Sequence, residues 1–367
     1  MTQENFKIKK GLLPLSFLYG LGVRIRNTLF NWGIFPSRKF PMPIICIGNL
    51  AVGGTGKTPH TELLIELLKS QYKIAVLSRG YKRDTKEYIE ATSESTPLAI
   101  GDEPCQIKSK YPDITVAVDR DRCHGIERLM AKNNPPIEVI LLDDAFQHRK
   151  VKAGLNILLT DYNRLFTEDK LLPAGRLREP AKGKDRAQMV IVTKCPEDIK
   201  PIYFNIISKH LDLYPFQDLF FSSLIYGSLT PVFPSNGLPV RKLSSIQKEE
   251  EVFLITGIAS PIQLKKKLEN YTQKITSLTF NDHHNFSEGD LKKMKNQFNQ
   301  IQGEKKIIIT TEKDAIRLKH MPEIPDEIKN NLYALPVRIK ILQQRKYEFT
   351  KKIENYVREN QRNCELS

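Results

Sequence analysis

PIICIGNLAVGGTGKTP, residues Pro43 to Pro59, is the stretch that decides the fold. Its first residues, Pro43 to Ile47, are short, continuously apolar and rich in isoleucine, which reads as a buried strand. A helix is predicted from Lys57 to about Ser70, with a glycine-rich turn between the two. Strand, glycine loop and helix together form the context that a phosphate-binding loop requires. Glycines let the backbone curl until its N–H groups face phosphate oxygens, and the new helix presents its positive end to the same point. In this reading Ala51, Val52, Gly53, Gly54, Thr55, Gly56, Lys57 and Thr58 cradle ATP. Lys57 reaches the β- and γ-phosphates, and Thr58 offers its hydroxyl to Mg²⁺. One position departs from G-x-x-x-x-G-K-[ST]: Ala51 stands where the first glycine is usual, and Gly53, Gly54 and Gly56 compensate in part.

Outward from this stretch, further apolar runs follow at Lys73–Leu77, Thr115–Val118, Val139–Leu142, Leu155–Thr160 and Met189–Thr193. Each gap is long enough for a crossover helix. Short apolar strands alternating with helices indicate a parallel sheet covered on both faces, an α/β fold. The run Ile140-Leu-Leu-Asp-Asp144 is a Walker B candidate. Ligands bind at strand ends in open α/β sheets, so Asp143 and Asp144 are placed near the metal. Pro, Ser, Asn and Gly accumulate over 196–245, where Leu219–Tyr226 is expected as a connecting strand. The alternation then restarts with a strand at Val252–Thr256, a helix around Pro261–Tyr271, a polar loop, a helix around Ser287–Gln300 and a strand at Lys306–Thr310. The expected division is an N-terminal segment over 1–40, a P-loop unit over 41–215, a linker over 216–245 and a smaller α/β unit over 246–367.

Length and composition agree with two globular domains: 367 residues, 40% hydrophobic and 27% charged. The net charge of +15, from 57 basic against 42 acidic residues, favours an anionic partner such as nucleic acid, a membrane or a phosphorylated substrate. No nucleic-acid-binding motif or aromatic-interleaved basic strand accompanies it, so no nucleic-acid partner is expected. Instead the surplus is concentrated at the start. Lys7, Lys9, Lys10, Arg24, Arg26, Arg38 and Lys39 stand against Glu4 alone, net +6 in the first 40 residues. The uncharged run Gly11–Val23 has 13 residues, short of the roughly 18–20 that span a bilayer, and it lacks a signal-peptide cleavage site. Leu18, Gly22, Ile25, Leu29 and Trp32 recur at helical spacing, with Arg24 and Arg26 available for another face. That pattern describes a helix lying in a membrane surface through residues 1–35; a helix packed on its own domain is the alternative. The five cysteines are scattered without a C-x-x-C pair, which argues against a zinc or disulfide framework and for a reducing compartment.

Several polar clusters compete for the acceptor side of the reaction: Ser78-Arg-Gly-Tyr81, Gly101-Asp-Glu-Pro104, Arg120 with Arg122, Gln147-His148, Leu172 to Pro180, and Asp282-His-His284. Most follow expected strands, which points to a shared cleft. In this order, the motifs PMPIICIGNLAVGGTGKTP, SRGYKR, GDEP, LLDDAFQH, LLPAGRLREP, DHH, TTEKDA and LPV resemble the tetraacyldisaccharide 4′-kinase family of the lipid A pathway in Gram-negative bacteria. The match runs from the N-terminal helix to about Val337. That family's P-loop also tolerates a non-glycine at the position of Ala51. Arg176 stands where proline is common, which leaves its role open.

The resemblance implies a pair of α/β/α sandwiches with the active site in the cleft between them. It implies transfer of phosphate from MgATP to the 4′-hydroxyl of an acylated glucosamine disaccharide 1-phosphate, at the cytoplasmic face of the inner membrane. Carried over residue by residue, Asp102 of GDEP is the base for the sugar hydroxyl, paired with His283 of DHH. Asp143, Asp144 and Glu179 match acidic positions near metal and nucleotide, and Arg122 and Arg178 match positions suited to phosphate charge. The competing class is a P-loop regulatory ATPase or GTPase, in which Val190-Ile-Val-Thr-Lys194 would be a base-reading strand end. It accounts for neither the basic leader nor GDEP and LREP.

Overall fold

Two sheets organise the chain in the computed structural model, which describes residues 8–365 apart from 82, 133, 134, 259, 260, 283 and 304. The strands are β1 Ile44–Asn49, β2 Ile74–Ser78, β3 Ile89–Glu90, β4 Thr115–Val118, β5 Val139–Asp143, β6 Leu155–Asp161 and β7 Met189–Thr193. They continue with β8 Asp218–Tyr226, β9 Thr230–Pro231, β10 Glu251–Thr256, β11 Ile275–Thr279, β12 Lys306–Thr311, β13 Leu332–Leu335 and β14 Val337–Ile341. The larger sheet has the order β14-β8-β7-β6-β1-β5-β2-β4-β3 and is parallel except where β3 and β14 join antiparallel at its two edges. The smaller has the order β11-β10-β12-β13-β9, parallel except at β9.

β1 lies at the centre of the larger sheet and explains its own composition. Ile45 and Ile47 enter one buried cluster, Ile44 and Cys46 the other on the opposite face. A strand covered on both faces needs apolar residues at every position rather than at alternate ones. β10 repeats this in the smaller sheet, with Phe253 and Ile255 on one side and Val252 and Leu254 on the other. Pairing of Ile47 with Asp143 sets the end of β5 beside the start of the glycine loop. At that end Gly48 is obligatory, because a Cβ there would stand 2.6 Å from Cβ of Phe146.

The division between units differs from the sequence expectation in two places. The stretch expected as a linker over 216–245 contains β8, a full member of the larger sheet paired with β7, and β9, an edge of the smaller one. The smaller unit does not run to 367. At Val337 the chain crosses back, β14 pairs antiparallel with β8, and the helix Lys346–Glu365 lays Phe349, Ile353 and Val357 into the core of the first unit. The physical reason is the free edge of β8, which β14 closes, and an uncovered sheet face that the helix fills. The polar loop expected after Tyr271 also holds β11, whose residues are mostly exposed and therefore carry little apolar signal.

The N-terminal helix, Leu13–Asn31, packs on the first unit through its small and polar residues. Ser16 Oγ donates to the Leu171 carbonyl at 3.0 Å, and Tyr19 Oη to the Arg178 carbonyl at 2.7 Å. A Cβ on Gly20 would lie 2.6 Å from Leu171. Its other face leaves Phe17 68%, Leu18 63% and Ile25 54% exposed, with Trp32 just beyond at 74%. Among the described residues no helix is long and apolar enough to cross a membrane.

Candidate active site

The glycine loop turns between β1 and the helix Lys57–Leu68. Gly53 and Gly56 take φ of +113° and +84°, a region open to glycine at little cost. LPAGRLREP flanks the loop as an antiparallel neighbour. Val52 N donates to the Arg176 carbonyl at 2.8 Å, and Arg178 N to the Leu50 carbonyl at 2.7 Å. This pairing delivers Arg178 and Glu179 to the loop.

Lys57 opens its helix, with its ammonium 3.5 Å from a carboxylate oxygen of Asp144. Arg178 approaches the same carboxylate at 3.3 Å. Asp144 follows β5 with φ of +47°, an uncommon conformation for a side-chain-bearing residue, and one that clusters at functional sites. Burial opposes the charge of Asp144, but Lys57 and Arg178 outweigh it and hold its pKa below the usual carboxylate value. Asp143 is buried and accepts from Thr61 Oγ1 at 3.1 Å. Burial, with Asp144 beside it, pushes Asp143 up to about 6. Two adjacent carboxylates whose surroundings drive their pKa values apart are a mark of functional sites. Arg122 is also buried; burial and Arg79 lower its pKa to about 10, against the pull of Asp144 and Asp143, and it stays cationic at neutral pH.

On the acceptor side, Asp102 begins the helix Asp102–Lys110, which lies against the P-loop helix through Gln106 Nε2 donating to Glu62 at 2.8 Å. Its carboxylate meets Arg317 of the second unit at 2.5 Å, and Arg317 is held in turn by buried Asp314 at 2.9 Å. Lys313 spans from Glu103 at 2.9 Å to Asp282 at 3.7 Å. It therefore ties the residue after Asp102 to the residue before position 283.

The tetraacyldisaccharide-1-P 4′-kinase family matches residues 8–358. The chain belongs to that family. The tetraacyldisaccharide 4′-kinase of Bacteroides fragilis is 59% identical over 367 residues, covering 100% of this chain and 98% of the relative. That of Bacteroides thetaiotaomicron is 55% identical with the same coverage. The crystal structure of "apo" form LpxK from Aquifex aeolicus in complex with ATP aligns at a TM-score of 0.73 and 30% identity, over 95% of this chain and 99% of that one.

In this member of the 4′-kinase family, the structure brings several of the sequence-derived site residues together. Lys57, Asp143, Asp144, Arg122 and Arg178 gather at the ends of β1, β4 and β5, and Thr58 follows Lys57 in the first turn. His283 lies outside the described residues. The Glu179 carboxylate is occupied by three side-chain donors. Its Oε1 accepts from Gln147 at 3.0 Å and Arg186 at 2.8 Å, and its Oε2 from Asn27 at 3.2 Å. Among the described residues the convergent ligand-type trio is instead Asp121, Cys123 and His148, within 4.8 Å of one another. Burial, with Asp121 adding to it, raises the pKa of the Cys123 thiol and so disfavours the thiolate that a cation there would need. The hard oxygens of Thr58, Asp143 and Asp144 fit Mg²⁺. Sequence reasoning missed Arg317 and Lys313. TTEKDA was the available signal for Lys313, since it places charge at a strand-to-helix turn; Arg317 carries no motif of its own.

Proposed function

We propose that this chain transfers the γ-phosphoryl group of ATP to the 4′-hydroxyl of an acylated glucosamine disaccharide 1-phosphate, with the residues above in defined roles. The observation that carries the reading is the Lys57–Asp144–Arg178 cluster at the mouth of the glycine loop, in a chain of this family. The loop's N–H groups and Lys57 bind the phosphates. Arg122 and Arg178 offset charge that builds on the transferring group. Thr58, Asp143 and Asp144 would hold Mg²⁺, which when bound neutralises phosphate charge. Glu179 orients Gln147 and the LREP segment rather than meeting the metal.

Asp102 serves as the base. A lone carboxylate near its reference pKa of about 3.9 is weak at neutral pH; Arg317 holds the Asp102 carboxylate in place at 2.5 Å, and His283 takes the proton onward. The N-terminal helix rests in the membrane surface, at the cytoplasmic face where ATP is available, and its neighbours Arg178 and Glu179 bring the lipid head group to the nucleotide. Apolar burial at about 25 cal/mol per Å² gives this face several kcal/mol before ordering costs, enough for peripheral binding.

Transfer from labelled ATP to purified acyl-disaccharide 1-phosphate, read by chromatography, tests the activity. Asp102→Asn should lower kcat by roughly 10²–10⁴ with little change in KM for ATP. ATP hydrolysis at full rate without lipid would instead place the chain among the switch ATPases.

A further inference from the structure

Beneath the glycine loop lies a set of side chains that the reaction described above does not use. His60, in the first turn of the helix Lys57–Leu68, is buried, as is Ser222 on β8. His60 Nδ1 lies 2.7 Å from the Gly56 carbonyl, and its Nε2 lies 3.0 Å from Ser222 Oγ. A carbonyl only accepts, so Nδ1 carries the proton and Nε2 accepts from the serine hydroxyl. The Gly56 carbonyl also accepts the helical N–H of His60 at 3.2 Å, so two donors fix it. One residue earlier, Thr193 at the end of β7 donates Oγ1 to the Thr55 carbonyl at 2.9 Å.

In a planar trans peptide the C=O and N–H point in opposite directions. Holding the Thr55 and Gly56 carbonyls inward therefore turns the N–H groups of Gly56 and Lys57 outward, to the side where a phosphate is cradled. Gly56, at φ of +84°, has no side chain to restrain this turn. We propose that His60, seated on Ser222, is a positioning residue that presets the phosphate-facing peptides of the loop. Burial holds its imidazole neutral, with a pKa of about 4, so the arrangement does not depend on pH near neutrality.

The proposal rests on the reading of this loop as the ATP site, and kinetics on single substitutions separate the two. His60→Ala should lower kcat/KM for MgATP by about 10- to 100-fold, with KM for the lipid unchanged. His60→Asn puts an amide N–H where Nδ1–H stands and should recover most of that loss. His60→Gln reaches the Nε2 position, leaves the Gly56 carbonyl without its second donor, and should behave as alanine does. Ser222→Ala should shift kcat/KM for MgATP in the same direction by less, which keeps the test usable if His60→Ala does not fold. Asparagine and glutamine variants that fall together in step with their melting temperatures, or variants that all keep the wild-type kcat/KM for ATP, would overturn the inference. Lys57→Ala run alongside isolates the underlying reading: if it turns over normally, the ATP site itself is misplaced.

Discussion

The helices Leu13–Asn31 and Lys346–Glu365 are 19 and 20 residues long, and both lie on the first unit. They turn their apolar faces in opposite directions. The later helix buries Phe349, Ile353 and Val357, spaced four apart, and exposes Lys351, Arg358 and Glu359. The earlier one seats Ser16 and Gly20 against Leu171 and exposes Phe17, Leu18 and Ile25. An apolar face turned inward stabilises the fold, whereas one turned outward on a well-formed helix marks a surface made for another phase or partner. Amphipathicity alone does not distinguish the two; the direction of the small residues does.

The largest effect that would break this contrast is Ile353→Asp, which buries an unpaired charge. It should cost more than about 4 kcal/mol in urea unfolding. Its mirror, Ile25→Asp, should leave the urea midpoint within about 0.5 kcal/mol of wild type while co-sedimentation with anionic vesicles falls. If Ile25→Asp also unfolds the protein, the outward face is structural after all.

A milder version sharpens the comparison. Phe349→Ala should cost about 3–5 kcal/mol, measured by calorimetry; Leu18→Ala should leave the melting temperature alone and weaken vesicle binding. Next comes Gly20→Leu, which drives a side chain into Leu171. The helix then shifts on the LPAGRLREP segment that carries Arg178, and kcat/KM should fall by up to about 10²-fold with only a modest loss of stability. Activity equal to wild type would mean that the helix seat and the nucleotide loop are independent. Smallest is Tyr356→Phe. The phenol donates to the Ile44 carbonyl at 2.9 Å and accepts from Ile44 N at 3.1 Å, so its loss should cost about 1–3 kcal/mol in the unfolding free energy.

Much of this was legible in the sequence because it is local. The run from Ile44 to Lys57 declares strand, loop and helix within a few turns of chain, and Asp143–Asp144 ends an apolar strand. What was not legible depends on partners distant in sequence. VRIKI at Val337–Ile341 reads as any half-exposed strand, and only the free edge of β8 decides which sheet receives it. Arg317 looks like a solvated helix residue until Asp314 and Asp102 are brought to it. Glu179 fits an acidic motif, yet three donors from Asn27, Gln147 and Arg186 claim its oxygens. His60 is hidden by the loop it supports, because GKTPH draws the eye to the lysine and threonine.

The crossing at Tyr226 and Val337 has a consequence for how the protein is made. These residues are direct partners on antiparallel strands, so the second unit leaves and re-enters the first at one point and is nested inside it. During vectorial synthesis the nucleotide unit must wait with an open sheet edge at β8 and an uncovered face until the nested unit and then β14 have emerged. The nested unit, complete with its own two-sided core, can fold while its host is still unfinished. Exposed edges of this kind invite wrong pairing, so the interval between synthesis of β8 and β14 is when the chain is most open to aggregation and to chaperone capture.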